Sequence, residues 1–282
     1  MKTRMLLGAA VLLGATGLAA QQAPPAPAVK LNAALPSVML EELTWTEVRD
    51  AVAAGVTVAI VPTGGTEKNG YHMIMGKHNR HSVAGAQVMA EELGNALIAP
   101  VIKYVPEGQA TEQSPGVLSC RDACFDNQLM AAGRSLRTHG FKHILFIGDN
   151  GGNQNGLRAA AEKLNAEFAG SDVKVFALTD FYEKGHEYLD AYFMATYGWN
   201  ATQVGSHAGI KDTSQMMYVN PAGVRPNRYM DSEMNRTESG TSGDPTKATA
   251  EFGRLGIRFK AWGALQQYEQ MNTPPRGTNQ GR

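Results

Sequence analysis

The chain has 282 residues but only two cysteines, Cys120 and Cys124. With no third or fourth cysteine beside them they do not form a zinc knuckle, and their spacing is not that of a C-x-x-C redox pair. They are neighbours on one face if the segment is helical, and the spacing leaves a local disulfide and two free thiols both open. Charge of either sign is not in excess: 26 Lys and Arg stand against 26 Asp and Glu. Nothing suggests the strongly basic face that nucleic-acid binding favours, and there is no charged low-complexity tail. After the first 20 residues no apolar run approaches the roughly 20 residues that a membrane span requires. There is no G-x-S-x-G elbow for a serine hydrolase, and no internal repeat.

What is present begins with a leader. Lys2 and Arg4 precede an apolar run from Met5 to Leu18, and Gly17, Ala19 and Ala20 supply small residues for cleavage. Residues 1–20 therefore read as a secretory signal, which makes the mature protein exported, periplasmic or secreted, with no stable membrane insertion after cleavage. Loss of Lys2 and Arg4 leaves 24 basic and 26 acidic residues. Residues 21–36, rich in Pro, Ala and Gln, read as a linker unable to bury a core. Residues 37–272 read as the globular domain and 273–282 as a flexible tail.

The globular part alternates helix and strand signals. Thr44 and Glu47 have capping-box spacing ahead of a helix that Gly55 ends. Residues 57–61 form a short apolar strand that breaks at Pro62. Residues 82–94 read as a helix, 96–101 as a strand, 126–138 as a helix, 143–147 as a strand, 154–169 as an amphipathic helix and 173–178 as a strand. Strands separated by helices at this spacing predict a mostly parallel central sheet covered on both faces, a three-layer α/β/α domain. Helices are also expected over 185–196, 207–219 and 246–270, the last with Phe252, Leu255, Phe259, Trp262 and Leu265 as its apolar stripe.

Two loops, 62–81 and 148–153, leave the carboxyl ends of strands, where open α/β sheets bind ligands. The first carries Glu67, His72, His78 and His81, so three of the seven histidines lie within ten residues. Imidazole and carboxylate together suit a divalent metal or acid–base chemistry. Blander roles exist for each: His72 packing beside the loop, His81 facing solvent or capping a helix, Asp149 capping the helix that follows, and Gly151 and Gly152 serving a tight turn. The long loop 103–119 is of a length that is often functional.

Several pieces, taken in order, resemble the creatininase (creatinine amidohydrolase) family. Leu43-Thr-Trp-Thr-Glu47 resembles its opening helix, and Pro62-Thr-Gly-Gly-Thr-Glu-Lys-Asn-Gly-Tyr-His72 its PxGSxEQHGPH segment. Ser114-Pro-Gly-Val-Leu-Ser119 resembles FPGTxS, and Gly148-Asp-Asn-Gly-Gly-Asn153 resembles NGHGGN. His207-Ala-Gly-Ile-Lys-Asp-Thr-Ser214 resembles HAGxxETS, and Gly243-Asp-Pro-Thr246 resembles the GDPxxAT ending. The resemblance runs from about residue 40 to 266. It implies the three-layer fold, a homo-oligomer, a small-molecule amide substrate and hydrolysis of a non-peptide C–N bond by a metal-activated water, the metal being zinc or manganese. Family ligands are exchanged here: Asn69 stands for a histidine, His78 for the bridging aspartate, Asn150 for the histidine of NGHGGN, and Asp212 for a glutamate. The resemblance then implies a remodelled site with Glu67, His78 and Asp149 as metal ligands. His207 and Asp212 are the expected catalytic pair, and His72, Gly151, Gly152 and Asn153 the expected substrate contacts, with the glycine amides offered to an oxyanion. The alternative is a metal-free paralogue that binds a small molecule.

Overall fold

The computed structural model describes residues 30–273 apart from 122 and 235. The expected signal segment, most of the expected linker and the expected tail from 274 lie outside the described residues. Four short strands make one sheet: β1 (Val58–Thr63), β2 (Ala96–Ile98), β3 (His143–Gly148) and β4 (Lys174–Ala177). All neighbours are parallel, in the order β2-β1-β3-β4. The helices are α1 (Trp45–Ala53), α2 (Lys77–Leu93), α3 (Ala123–Thr138), α4 (Gln154–Glu167), α5 (Glu183–Tyr197), α6 (Ala201–Val204), α7 (Ile210–Val219), α8 (Tyr229–Met234), α9 (Arg236–Ser239) and α10 (Ala250–Asn272).

The period-2 alternation of strand side chains divides the core in two. Ala59, Val61, Ile144, Phe146 and Val175 pack with Phe125 and Leu129 of α3 and Leu157 and Leu164 of α4. Val58, Ile60, Leu145, Ile147 and Phe176 point the other way, onto Ala86 and Met89 of α2 and Ala264 and Leu265 of α10. Helices cover both faces, so the three-layer expectation holds. Each fully buried aliphatic or aromatic side chain here contributes about 1.5–3 kcal/mol.

Some boundaries differ from the sequence reading. β1 does not break at Pro62 but runs on to Thr63. Pro62 lies two residues beyond the last β1–β2 pair, Ile60↔Ile98, and its carbonyl accepts from Ile102 on that side. No ladder partner therefore faces its missing N–H. α2 starts at Lys77, five residues earlier than the apolar periodicity suggested. Residues 31–34, inside the expected linker, form a 3-10 turn. The buried Asn32 amide donates to the carbonyls of Ala90 and Ala96 there and ties the turn to the end of α2. The Thr44–Glu47 capping box forms as read. Cys120 and Cys124 are joined as a disulfide at the entry to α3, with Cα atoms 5.5 Å apart.

The buried face of α10 is also rotated from the expected stripe. Gly253, Gly256, Ile257, Lys260, Ala261 and Ala264 face inward, while Leu255, Phe259 and Trp262 are only half-buried. Close approach to α7 explains this, because a Cβ on Gly253 would lie 1.9 Å from the Ser214 carbonyl oxygen. Only a hydrogen fits at that crossing.

One register pair positions the rest: Thr63 lies opposite Gly148. The last residues of β1 and β3 are adjacent, so the loops after them open side by side at the carboxyl edge of the sheet.

Candidate active site

The loop after β1 carries Glu67 and then enters α2, whose first two turns present Lys77, His78 and His81. The loop after β3 begins with Asp149 and Asn150 and passes through a 3-10 turn, Gly151–Asn153, into α4. A third component comes from the start of α7, where His207 and Asp212 flank Ala208. Ala208 is buried and has a left-handed backbone, with φ of 52°. Such a conformation in a residue with a Cβ costs energy and marks an over-determined turn. These elements meet around a small cleft of about 90 Å³, bordered by Glu67, Lys77, His78, Gly151, Tyr182 and His207, among others.

Glu67, His78 and Asp149 converge, as the sequence led us to expect. They do so as a hydrogen-bonded chain. His78 Nε2 is 2.6 Å from Glu67 Oε1, and His78 Nδ1 is 2.8 Å from Asp149 Oδ2. Ionised carboxylates only accept, so both ring nitrogens donate and the ring is imidazolium. Burial and the Lys77 ammonium push the His78 pKa down, but the bonds to Asp149 and Glu67 outweigh them and raise it. His81, expected near solvent, is fully buried and points Nδ1 at the same Asp149 oxygen, 3.2 Å away. The other Asp149 oxygen accepts from Lys260 Nζ of α10. Burial would raise the Asp149 carboxyl, yet Lys260 and the two histidines hold it well below the usual carboxylate range.

Lys77 fills the centre. Its ammonium is 2.6 Å from Asp212 Oδ2, 3.1 Å from Glu67 Oε1 and 3.4 Å from His207 Nδ1, and the side chain is 1% exposed. Burial opposes its charge, but Asp212 and Glu67 overcome that and raise its pKa. Glu67 is raised by burial and lowered more strongly by His78 and Lys77, which leaves it at about 2. Asp212 Oδ2 also accepts from the Ala208 N–H, so this carboxylate both ties back the turn that precedes α7 and anchors Lys77.

His207 Nε2 donates to the Lys68 carbonyl at 2.8 Å. That bond fixes the tautomer and leaves the Nδ1 lone pair turned toward Lys77 Nζ, 3.4 Å away at the cleft. Burial and Lys77 depress its pKa, so the ring is a neutral base. Tyr182 places its hydroxyl at the Gly151 edge, with a pKa raised by burial to about 12.

The expected substrate contacts separate. Gly151 borders the cleft. The Gly152 N–H is taken by Asn150 Oδ1 at 2.7 Å and is not presented to a ligand. Asn153 is buried and donates to Thr63 Oγ1 and the Gly64 carbonyl, both at 2.9 Å, which ties the two strand-end loops together. His72 is buried 2.9 Å from Thr213 Oγ1, behind the cleft rather than on it. Burial lowers its pKa to about 4.

Sequence reasoning missed Lys77, Lys260, Tyr182, Glu107 and His186, the last a half-buried imidazole of α5 that borders the cleft and is held neutral by burial and by Lys260. Lys260 left a readable signal, a lone cation on a helix face otherwise made of Gly, Ala and Ile. Glu107, in the long loop, is 4% exposed. One of its carboxyl oxygens accepts from Asn150 Nδ2 at 2.9 Å and the other has no partner. Burial, reinforced by the charge of Glu67, raises its pKa to about 7. The free oxygen lies against Gly65, where an added Cβ would be 1.7 Å away and where φ is +153°. Glycine is needed there on both counts.

A family model described as creatinine amidohydrolase matches residues 41–261. The chain belongs to the creatininase family. A creatinine amidohydrolase of Pseudomonas putida is 30% identical over 208 residues, covering 69% of this chain and 76% of that protein. A mycofactocin precursor peptide peptidase of Mycolicibacterium smegmatis is 27% identical over 222 residues, covering 70% of this chain and 78% of that protein. Among solved structures, a manganese creatininase superposes with a TM-score of 0.66 at 24% identity, covering 84% of this chain and all of that one. A zinc–zinc form of a creatininase mutant superposes with a TM-score of 0.64, also at 24% identity, covering 84% and 99%. At that identity these structures establish the shared fold.

The donor set of this creatininase-family chain does not fit a divalent metal. Both nitrogens of His78 are used between carboxylates, and Glu67, Asp149 and Asp212 already face ammonium groups. Asn69, where the family has a histidine, turns its amide onto the carbonyls of Glu67, Ile74 and Met75 and pins the loop. Asn150 faces Glu107. Among the described residues no group of three or more His, Cys, Asp or Glu is arranged to hold a metal ion.

Proposed function

We propose that this creatininase-family protein is an exported amidohydrolase that cleaves the non-peptide C–N bond of a small amide in the cleft between the β1 and β3 loops. The observation that carries this reading is the neutral His207, whose Nδ1 lone pair is turned toward the Lys77 ammonium, 3.4 Å away at the cleft. The resemblance suggested a water activated by a metal held by Glu67, His78 and Asp149, but their donor atoms are engaged with one another and with lysines. The favoured base is therefore His207. It takes a proton from water at Nδ1 while the amide carbonyl oxygen lies toward Lys77 and the Tyr182 hydroxyl. Glu67, 3.7 Å from Nδ1, stabilises the imidazolium that forms, which then returns the proton to the leaving nitrogen. Asp212 positions Lys77 and α7 and takes no proton. The cleft's small size favours a compact substrate over a polypeptide.

The test is release of ammonia or amine from a panel of small cyclic and linear amides. His207→Ala is expected to lower kcat/KM by on the order of 10²–10⁴-fold with no loss of fold. A second reading rests on the mutual saturation of the site's polar atoms: a metal-free paralogue that binds a small molecule without turnover. Ligand-induced thermal stabilisation by the same amides, with no product, would select it. Export is supported by the leader in the sequence and by a disulfide that an oxidising compartment preserves. A mature N-terminus near residue 21 in the exported fraction checks it. Light scattering in solution tests the homo-oligomer that the family resemblance implies.

A further inference from the structure

We propose that this chain has replaced the divalent cation of its fold with a fixed internal one, the Lys77 ammonium, and that its site is closed to zinc and manganese. The inference rests on the cleft identified above but not on turnover there. Three things support it. The first is position: Lys77 Nζ lies within 3.5 Å of a Glu67 oxygen, an Asp212 oxygen and the His207 ring, so two carboxylates and an imidazole, from the β1 loop and the start of α7, converge on it as they would on an ion. The second is charge. Asp149 and Asp212 are buried carboxylates and Glu67 is a half-buried one, and facing them are the Lys77 and Lys260 ammoniums and the doubly donating His78 ring. The cluster is balanced as it stands, and a divalent ion would add two uncompensated charges in a poorly hydrated space. The third is the fate of the exchanged residues. Asn69 and Asn150 have been taken into loop hydrogen bonds, and His78, in place of a bridging carboxylate, has become the link between Glu67 and Asp149.

An ammonium on a helix differs from a metal in what it offers. It has three hydrogens in a tetrahedral array and no exchangeable coordination position. Here two are directed at carboxylates and the third at His207 Nδ1. A carbonyl or carboxylate oxygen entering the cleft meets that third hydrogen in place of His207. The predicted ligands are therefore neutral amides or small carboxylates that accept one charge-assisted hydrogen bond, not chelators.

The experiment uses the full mature chain without a metal-affinity tag, expressed with added zinc and manganese. Metal content is measured by mass spectrometry, and melting temperature is followed in EDTA, ZnCl2 and MnCl2. The expected result is metal well below one ion per chain and no shift in Tm with any of the three. One ion per chain, or a Tm that rises with zinc or manganese and falls with EDTA, overturns the proposal even if amide hydrolysis is found. Absence of hydrolysis in a metal-free protein would remove the functional reading and leave this one standing. Lys77→Met supplies the positive arm: Tm is expected to fall by several degrees and to be partly restored by divalent ions, which now meet unpaired carboxylates. A Lys77→Met protein as stable as wild type refutes a structural cation at this position. If that variant does not fold, Lys77→Arg keeps the charge on a larger head and should fold with lowered Tm and unchanged indifference to metal. Metal-responsive Lys77→Arg would also count against the idea.

Discussion

At the scale of single residues the site is held by two lysines, Lys77 and Lys260, that lie outside the motifs carrying the family resemblance. Lys260 comes from α10, which packs with α2 on one face of the sheet, and reaches Asp149 with both side chains 1% exposed. Replacing it by Met keeps most of the volume and removes the charge. Asp149 would then keep only its two histidine partners, and breaking a buried pair in this way costs on the order of 3–5 kcal/mol. Urea unfolding is the measurement, and a loss below about 1 kcal/mol would mean that Asp149 does not depend on Lys260. Glu67 and His78 stood out in the sequence as carboxylate and imidazole in a Gly-rich strand-end loop, and Asp149 joined them through the family resemblance. Their contact with one another could be inferred as well, from two strand ends on one sheet edge. What each donor atom faces was not legible. That depends on Lys77 and Lys260, and a lysine in a sequence is read as solvated unless a partner is known.

At the scale of elements the sheet and most helices followed from periodicity, and the exceptions have a common cause. The first turns of α2 are Lys, His, Asn, Arg and His, a run with no apolar spacing, because this part of the helix is buried against charges and not against the core. α10 was recognised as a helix, and Phe252 and Leu265 of its expected stripe are buried, but the inner face is rotated toward Gly253, Gly256 and Lys260, because the contact with α7 is made by glycines that carry no hydrophobic signal. That contact is testable. Gly253→Ala drives a methyl into the Ser214 backbone, where nothing flexible can yield. It should cost at least about 1–3 kcal/mol and, by displacing α7, disturb the Ala208 turn that carries His207 and Asp212. Gly108→Ala is the control, since its Cβ would meet nothing within 4 Å, and it should change stability by less than about 0.5 kcal/mol. Equal losses in the two variants, read from chemical denaturation, would remove the tight α7–α10 crossing from the account.

For the whole molecule, burying so many ionisable groups makes stability a function of pH, and the signs differ between groups. Glu67, at about 2 against an ordinary 4.5, contributes stability that is present above pH 4.5 and lost as pH falls toward 2. Asp149 and Asp212 are shifted in the same direction. His72, at about 4 against 6.5, is buried neutral, so the folded state loses ground as pH falls from 6.5 toward 4. Glu107 has the opposite sign: raised from 4.5 to about 7, it supports the fold below pH 4.5 and loses that contribution as pH rises through 7. The His72 and Glu107 shifts are equal and opposite and nearly cancel, so the gentle decline expected below about pH 6.5 comes from His81, His186 and His207, whose pKa values burial also lowers, and a steep decline follows once the carboxylates begin to protonate. Glu107→Gln keeps the Asn150 contact and removes the titration. Between about pH 7 and pH 5 its unfolding free energy should fall more steeply than that of the wild type, because the offset is gone. Parallel curves for the two proteins would show that Glu107 titrates as an ordinary carboxylate and that the uncharged acid is not what packs behind Asn150 and Gly65 near neutral pH.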